Sequence, residues 1–313
     1  MLIFGPVPSR RLGQSLGVNH IPPKTCSYAC VYCQLGKTYP MEIKRKRFYS
    51  PEEIDRELTE KLQRLKETGE PVDWVTFVPD GEPTLDVNLK EEIMKTKAHG
   101  LKTAVISNAS LMSMEEVQEA LMQADWVSTK VDAGNDPMWR KVNRPYGSLR
   151  FDGMIQGIID FSKRYQGILV TESMVIKGAN DSESEIDDIA RVLSEIRPKK
   201  SYFMVPIRPP AENWVERPDV RTLRHALRIV QNRCEHEIAC ITGDESEERF
   251  YVTDAIANDI LSITSVHPVR ETVIRLLLEQ KHADFSLIDD LVAQKKLLAF
   301  SYEGKTFYRR NLA

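Results

Sequence analysis

Apolar positions along this chain follow two rhythms. Short β-branched and aromatic runs of strand length recur between longer stretches whose apolar residues lie three and four apart. The first short run is "SLGVN" (15–19). It is followed by "PEEIDRELTEKLQRLKE" (51–67), with Ile54, Leu58, Leu62 and Leu65 at helical spacing, Ser50 as N-cap and Glu53 three residues on. Further strands are expected at 74–79, 102–108, 126–133, 168–176 and 202–208. Helices are expected between and after them at 88–100, 113–124, around 152–165, 182–196 and 219–233, with Gly100 placed to close the first of these. Six strand–helix alternations predict an α/β fold of six parallel strands with right-handed crossovers. A doubly wound sheet and a β/α barrel both satisfy that pattern. The proline-rich stretches "IPPK" (21–24) and "IRPPAENWVERPD" (207–219) read as loops after strands, where parallel α/β folds build their sites.

The rhythm changes towards the C-terminus. Residues 254–263 carry an apolar stripe (Ala255, Ile256, Ile260, Leu261, Ile263). A helix over 267–280 starts with proline near its first turn, and another over 285–297 has Ser286 as its N-cap. Residues 297–310 alternate around Glu303-Gly304, a hairpin signal. Three helices and a hairpin resemble a winged helix–turn–helix. A first domain is therefore expected over 1–245 and a winged-helix-like one over 250–313.

Charge and composition narrow the classes. The net charge is −3 over 313 residues, so nucleic-acid binding would need a local basic patch. From His267 onward eight Lys/Arg face six Asp/Glu, well short of a strongly basic surface; Lys305, Arg309 and Arg310 in the hairpin are the candidates for phosphate contact, against a protein-docking or lid role. "MLIFGPVPSRRLG" lacks the apolar core of a signal peptide, and no apolar run approaches the ~20 residues that span a bilayer. A reducing cytoplasm and no membrane partner are expected, and there five cysteines do not imply disulfides.

Three of those five, Cys26, Cys30 and Cys33, fall within eight positions of "CSYACVYCQLG". Thiolates take soft metals. A structural zinc site wants four protein ligands, and His20 is a candidate fourth. The alternative is an iron–sulfur cube on three thiolates with one iron left open. Cys234 and Cys240 read as core thiols.

The Cys-x3-Cys-x2-Cys spacing after the first strand, with Tyr32 before the last cysteine, resembles the signature of radical S-adenosylmethionine (radical SAM) enzymes. "VPDGEPTL" (78–85), after the second strand, is similar to that superfamily's glycine-glutamate-proline motif at Gly81, Glu82 and Pro83, with Asp80 where a first glycine is more usual. The opening "FGPVPSRRLGQSLGVNHIPPKTC" resembles a poorly characterised group related to wybutosine-synthesis-like enzymes. The resemblance implies a partial (β/α)6 barrel. It implies a [4Fe-4S] cluster on the three cysteines, with SAM bound at the open iron and cleaved to methionine and a 5'-deoxyadenosyl radical. It implies that Glu82 receives the SAM amino group, and that the strand-end residues Ser107, Asn108, Lys130 and Asp132 face its ribose and carboxylate. An electron donor such as flavodoxin or ferredoxin follows from that chemistry.

The substrate side is less marked. Arg10, Arg11, "KRKR" (44–47), Arg140, Lys141, Arg144 and Arg208 could hold phosphates of a nucleotide or RNA, or could be solvated charges beside acids such as Glu42. No second cysteine cluster and no cobalamin-binding domain is evident. Three readings follow: hydrogen abstraction on RNA or a nucleotide, the same chemistry on a protein side chain or small metabolite, and a zinc-bound nucleic-acid-binding regulator.

Overall fold

The computed structural model describes residues 2–242, 252 and 255–311, with only the backbone of Val266. The domain boundary expected between 245 and 250 lies outside the described residues.

The strands are β1 (Ile3–Ser9), β2 (Gly13–Val18), β3 (Trp74–Phe77), β4 (Lys102–Ser107), β5 (Trp126–Lys130), β6 (Ile168–Met174), β7 (Lys200–Met204) and β8 (Glu237–Ile241). They form one eight-stranded sheet in that order. β1 is antiparallel to β2, and every later pair is parallel. The six expected strands are all present, but β8 adds a seventh parallel one and β1 an antiparallel edge. Pro6 and Pro8 sit in β1, which an edge strand tolerates, and its register shifts between Phe4 and Val7. Consecutive strand order decides between the two architectures the sequence allowed. A doubly wound sheet reverses direction at a switch point, and this one never does.

Helices α1 (Pro51–Thr68), α2 (Leu89–Ala98), α3 (Glu115–Leu121), α4 (Asp136–Val142), α5 (Phe151–Arg164), α6 (Glu183–Ile196) and α7 (Val220–Arg233) connect the strands. Ser50 caps α1, its hydroxyl accepting from the Glu53 amide at 3.1 Å. Consecutive right-handed crossovers leave the helices on one sheet face. Val75, Phe77, Val105, Val127, Leu169 and Phe203 point into that helix-covered core. Their alternating neighbours Trp74, Ala104, Trp126, Val170 and Tyr202 pack on the other face around Leu12. Two-residue periodicity thus sorts each strand between a large core and a second, partly polar interior.

The C-terminal segment has its own apolar cluster, built by α8 (Ile256–Val266), α9 (Glu271–Gln280), α10 (Ser286–Ala293) and a sheet of β9 (Val269–Arg270), β10 (Leu297–Tyr302) and β11 (Lys305–Arg310), ordered β10-β11-β9. Two expectations are corrected here. Pro268 precedes β9 rather than opening the helix, which starts at Glu271. Ser286 is the first residue of α10 rather than its N-cap: that place falls to Phe285, with no side-chain capping bond, and the Ser286 amide donates to Asp284 Oδ1 at 2.8 Å. The hairpin docks on the main sheet's loops: Tyr302 donates to the Pro206 carbonyl at 3.3 Å, and Arg217 pairs with Glu303 at 3.1 Å.

Candidate active site at the cysteine loop

Residues 19–50 leave β2 as an irregular loop that carries the three thiols. Main-chain bonds fix it. The Ala29 and Val31 amides donate to the carbonyls of Arg144 and Val142, the Tyr146 amide to Ser27, and the Glu212 amide to Val31. The segment around α4 is therefore part of the loop's support. Trp139 of α4 donates its indole N–H to the Tyr28 hydroxyl at 3.1 Å, both buried. The sequence pattern marked this stretch only for the charges of Arg140, Lys141 and Arg144 and assigned it no helix.

Cys26, Cys30 and Cys33 are free and half-buried. Each faces a side-chain N–H donor: Asn108 Nδ2 at 3.6 Å from Cys26 Sγ, Asn143 Nδ2 at 3.6 Å from Cys30 Sγ, and Lys24 Nζ at 3.9 Å from Cys33 Sγ. Burial pushes the Cys26 thiol up to about 12 and raises Cys30 as well. Thiols in that state keep their protons until a metal replaces them. Among the described residues no three His, Cys, Asp or Glu side chains group as ligands of a single ion. Three thiols with no fourth side chain grouped beside them are one protein ligand short of structural zinc's four, whereas a cube takes three thiolates and keeps one iron open. The donor set fits the cube, and N–H donors to sulfur are one of the features that set a cluster's potential. His20 does not group with the thiols as a fourth ligand among the described residues. It is fully buried edge-on to Phe77, burial lowers it to about 4, and its neutral Nε2–H donates to the Pro83 carbonyl at 3.1 Å.

The Gly81-Glu82-Pro83 loop lies against the cysteine loop through the main chain. The Lys24 amide donates to Asp80 O at 2.7 Å and the Glu82 amide to Thr25 O at 3.0 Å. A Cβ at Gly81 would run into the Thr25 carbonyl, so this position needs glycine. Glu82 is buried, and burial raises its carboxyl although four donors act the other way. Oε1 accepts from the Thr84 amide at 3.1 Å, the Thr84 hydroxyl at 2.5 Å and the Ser107 hydroxyl at 2.7 Å. Oε2 accepts from the Asn108 amide at 2.7 Å, leaving it capacity for one more donor. Glu82, Ser107 and Asn108 are thus brought together, and Asn108 reaches on to Cys26.

Asp132 is the second junction. Oδ2 accepts from the Tyr32 hydroxyl and from Asn143 Nδ2 at 2.6 Å, while Oδ1 accepts from the Met174 amide at 2.7 Å. Tyr32, Cys30, Asn143 and Asp132 are therefore contiguous. Lys130 points elsewhere: its Nζ donates to Glu172 Oε2 at 2.6 Å, and Arg11 Nη1 stands 3.1 Å from Glu172 Oε1. Burial favours a neutral Glu172, but the two cations prevail and hold it down to about 2.

Most of the basic residues have partners in the protein. Arg45 donates to the Thr84 and Asp86 carbonyls, Lys46 to Glu42, Arg140 to Asp136 and Arg144 to Glu212. Arg208 donates to Gln34 Oε1 at 3.1 Å, and Arg309 to Gln34 O at 3.1 Å. Cys234 is buried as expected, but Cys240 is exposed on β8 and is not a core thiol. Lys24 and Asn143 were missed as neighbours of the thiols, and Arg309 was singled out for phosphate rather than for this loop; only Lys24, two positions before Cys26, had a local signal.

A profile described as the Radical SAM superfamily matches residues 21–193. The chain belongs to that superfamily, and its enzymes bind a [4Fe-4S] cluster and SAM. A UPF0026 protein of Methanocaldococcus jannaschii is 40% identical over 99% of this chain and 96% of its own. Among solved structures, a radical SAM methyltransferase from Sphaerobacter thermophilus superposes with a TM-score of 0.56 at 16% identity, over 73% of this chain and 66% of that one. TYW1 with a lysine-pyruvate adduct bound gives 0.52 at 15%, over 72% and 76%. Those two likenesses are of fold. Among the described residues no helix is long and apolar enough to cross a membrane.

Proposed function

We propose that this chain is a radical SAM enzyme that generates a 5'-deoxyadenosyl radical for hydrogen abstraction from RNA or a nucleotide. The observation that carries the chemistry is the trio of thiols, each met by a side-chain N–H donor, in the loop after β2. Cys26, Cys30 and Cys33 would hold a [4Fe-4S] cluster, which supplies the electron for reductive cleavage of SAM, replenished by a flavodoxin or ferredoxin in a reducing cytoplasm. The chain's own residues do the positioning. Glu82 has an oxygen with spare accepting capacity for the SAM ammonium, at the joint it shares with Ser107 and Asn108. Asp132, just past the carboxyl end of β5, presents its carboxylate from the end of the sheet where α/β folds bind their ligands, while Lys130 at the same strand end is engaged by Glu172 and would have to leave it to reach SAM. The sheet is read as the family's partial barrel, closed off by a winged-helix-like C-terminal module.

The nucleotide reading is supported by the rim. Tyr39, Tyr146 and Trp214 are exposed, and the latter two lie on segments bonded to the cysteine loop. Exposed aromatic faces suit base stacking, although the nearby cations Lys37 and Arg144 are both paired with Glu212. Anaerobic reconstitution with iron, sulfide, SAM and reductant, offered RNA and protein fractions separately, tests both parts. 5'-Deoxyadenosine with a mass change in RNA is expected. A mass change confined to protein or small molecules would move the substrate class, and no cleavage by the reconstituted chain would overturn the chemistry.

A further inference from the structure

The three thiols are not equivalent. Cys26 and Cys30 face neutral amides, while Cys33 faces a lysine. A second cation lies in the same corner and comes from the far end of the chain. Arg309, on β11, donates Nη1 to the Gln34 carbonyl at 3.1 Å, across 275 positions of sequence. Lys24 grips the next turn of the same arm, its Nζ donating to the Gly36 carbonyl at 2.6 Å. Gly36 has φ +83, and a Cβ there would stand 3.3 Å from Arg309 Nη1, so the guanidinium lies directly against the loop. Phe300 on the neighbouring strand β10 supports it, with the guanidinium carbon 4.8 Å from the ring centroid. Gln34 is held at its other end by Arg208.

We propose that Arg309 is a positioning residue of the cluster site: the C-terminal hairpin, together with Lys24, fixes the Cys33 arm and places positive charge there that favours the reduced cluster. The inference rests on the radical SAM reading above. Its physical basis is simple. Reduction adds an electron, so a cation close to one corner stabilises the product more than the reactant. Arg309 is half-buried, where screening by water is weak. It also changes the reading of the hairpin, since an arginine committed to Gln34 is not offered to a phosphate.

The test uses the full chain. Arg309→Gln and Lys24→Met are reconstituted, their iron and sulfide counted, and the cluster titrated by EPR against a mediated potential. Each should retain iron and become harder to reduce, with the reduced-to-oxidised ratio at a fixed potential falling about tenfold, which is 59 mV for a one-electron couple. Arg309→Lys, which keeps charge but not the fork, should recover most of the shift. In the apo chain, hydrogen exchange at residues 33–37 should quicken in Arg309→Gln with helix content unchanged. A potential equal to the parent's in fully loaded Arg309→Gln and Lys24→Met, or unchanged exchange in the apo loop, overturns the inference. A parent chain that takes up no cluster fails the function reading instead.

Discussion

Tyr32 and Asp132 stand a hundred positions apart and share a hydrogen bond in which the phenol donates to the carboxylate. The loop after β2 is thereby tied to the end of β5, with Asn143 joining both at Cys30. Tyr32→Phe should cost about 1–2 kcal/mol by chemical denaturation, because buried Asp132 loses one of its three donors. Asp132→Ala should cost more, since it strands all three. Retention of full stability in Tyr32→Phe would show that the bond contributes nothing.

Replacing any one of Cys26, Cys30 or Cys33 by alanine should remove most iron and all SAM cleavage. Cys234→Ala should keep both while losing some stability, since that thiol is buried and donates to Ala190 O. Cys240→Ala should change neither. Equal iron loss from the distal pair would show the ligand assignment to be wrong.

Glu82→Ala should act twice. It strands the donors of Thr84, Ser107 and Asn108, so the apo chain should lose about 2–4 kcal/mol. If Glu82 also accepts the SAM ammonium, affinity should fall roughly ten- to a hundred-fold. Unchanged SAM binding by a folded, iron-loaded variant would leave Glu82 as scaffold alone.

Glu92 gives a pH signature. It is buried in α2 with neither oxygen hydrogen-bonded, and burial, reinforced by Asp86 and Glu91, raises it to about 9. A carboxyl raised on folding holds its proton longer in the native state. Stability from this group is present at low pH and lost as pH climbs from the unfolded value towards 9, with a slope up to about 1.4 kcal/mol per pH unit. Glu92→Gln should flatten that slope in denaturation curves between pH 5 and about 9. An unaltered slope would place the titration elsewhere.

Much of the sheet was legible because its strands are buried β-branched runs such as "WVTF" and "WVSTK", separated by helices with clear stripes. β1 was not, because two prolines and a glycine break its pattern and only its edge position lets it pair. α4 was missed because seven residues rich in charge give no stripe. The cysteine trio stood out in the sequence by its spacing together with Tyr32 and the strand before it. Asn143 and Arg309 were not: what makes them part of the site is contact across more than a hundred residues, which no local pattern encodes. The basic residues misled in the other direction, since charge in sequence says nothing of the carbonyls and acids that Arg45, Arg140 and Arg144 meet in the fold.

The joint between the cysteine loop and the Gly81 loop is made of backbone on both sides, Lys24 N to Asp80 O and Glu82 N to Thr25 O. Genetic drift therefore meets two very different neighbours there. Position 80 contributes its carbonyl, which any amino acid supplies, so an aspartate can stand where a glycine is more usual without loosening the joint. Position 81 contributes an absence of side chain and has no substitute. A motif search that insists on two glycines would pass over this protein, while one that asks for the second glycine, the glutamate and the proline would find it.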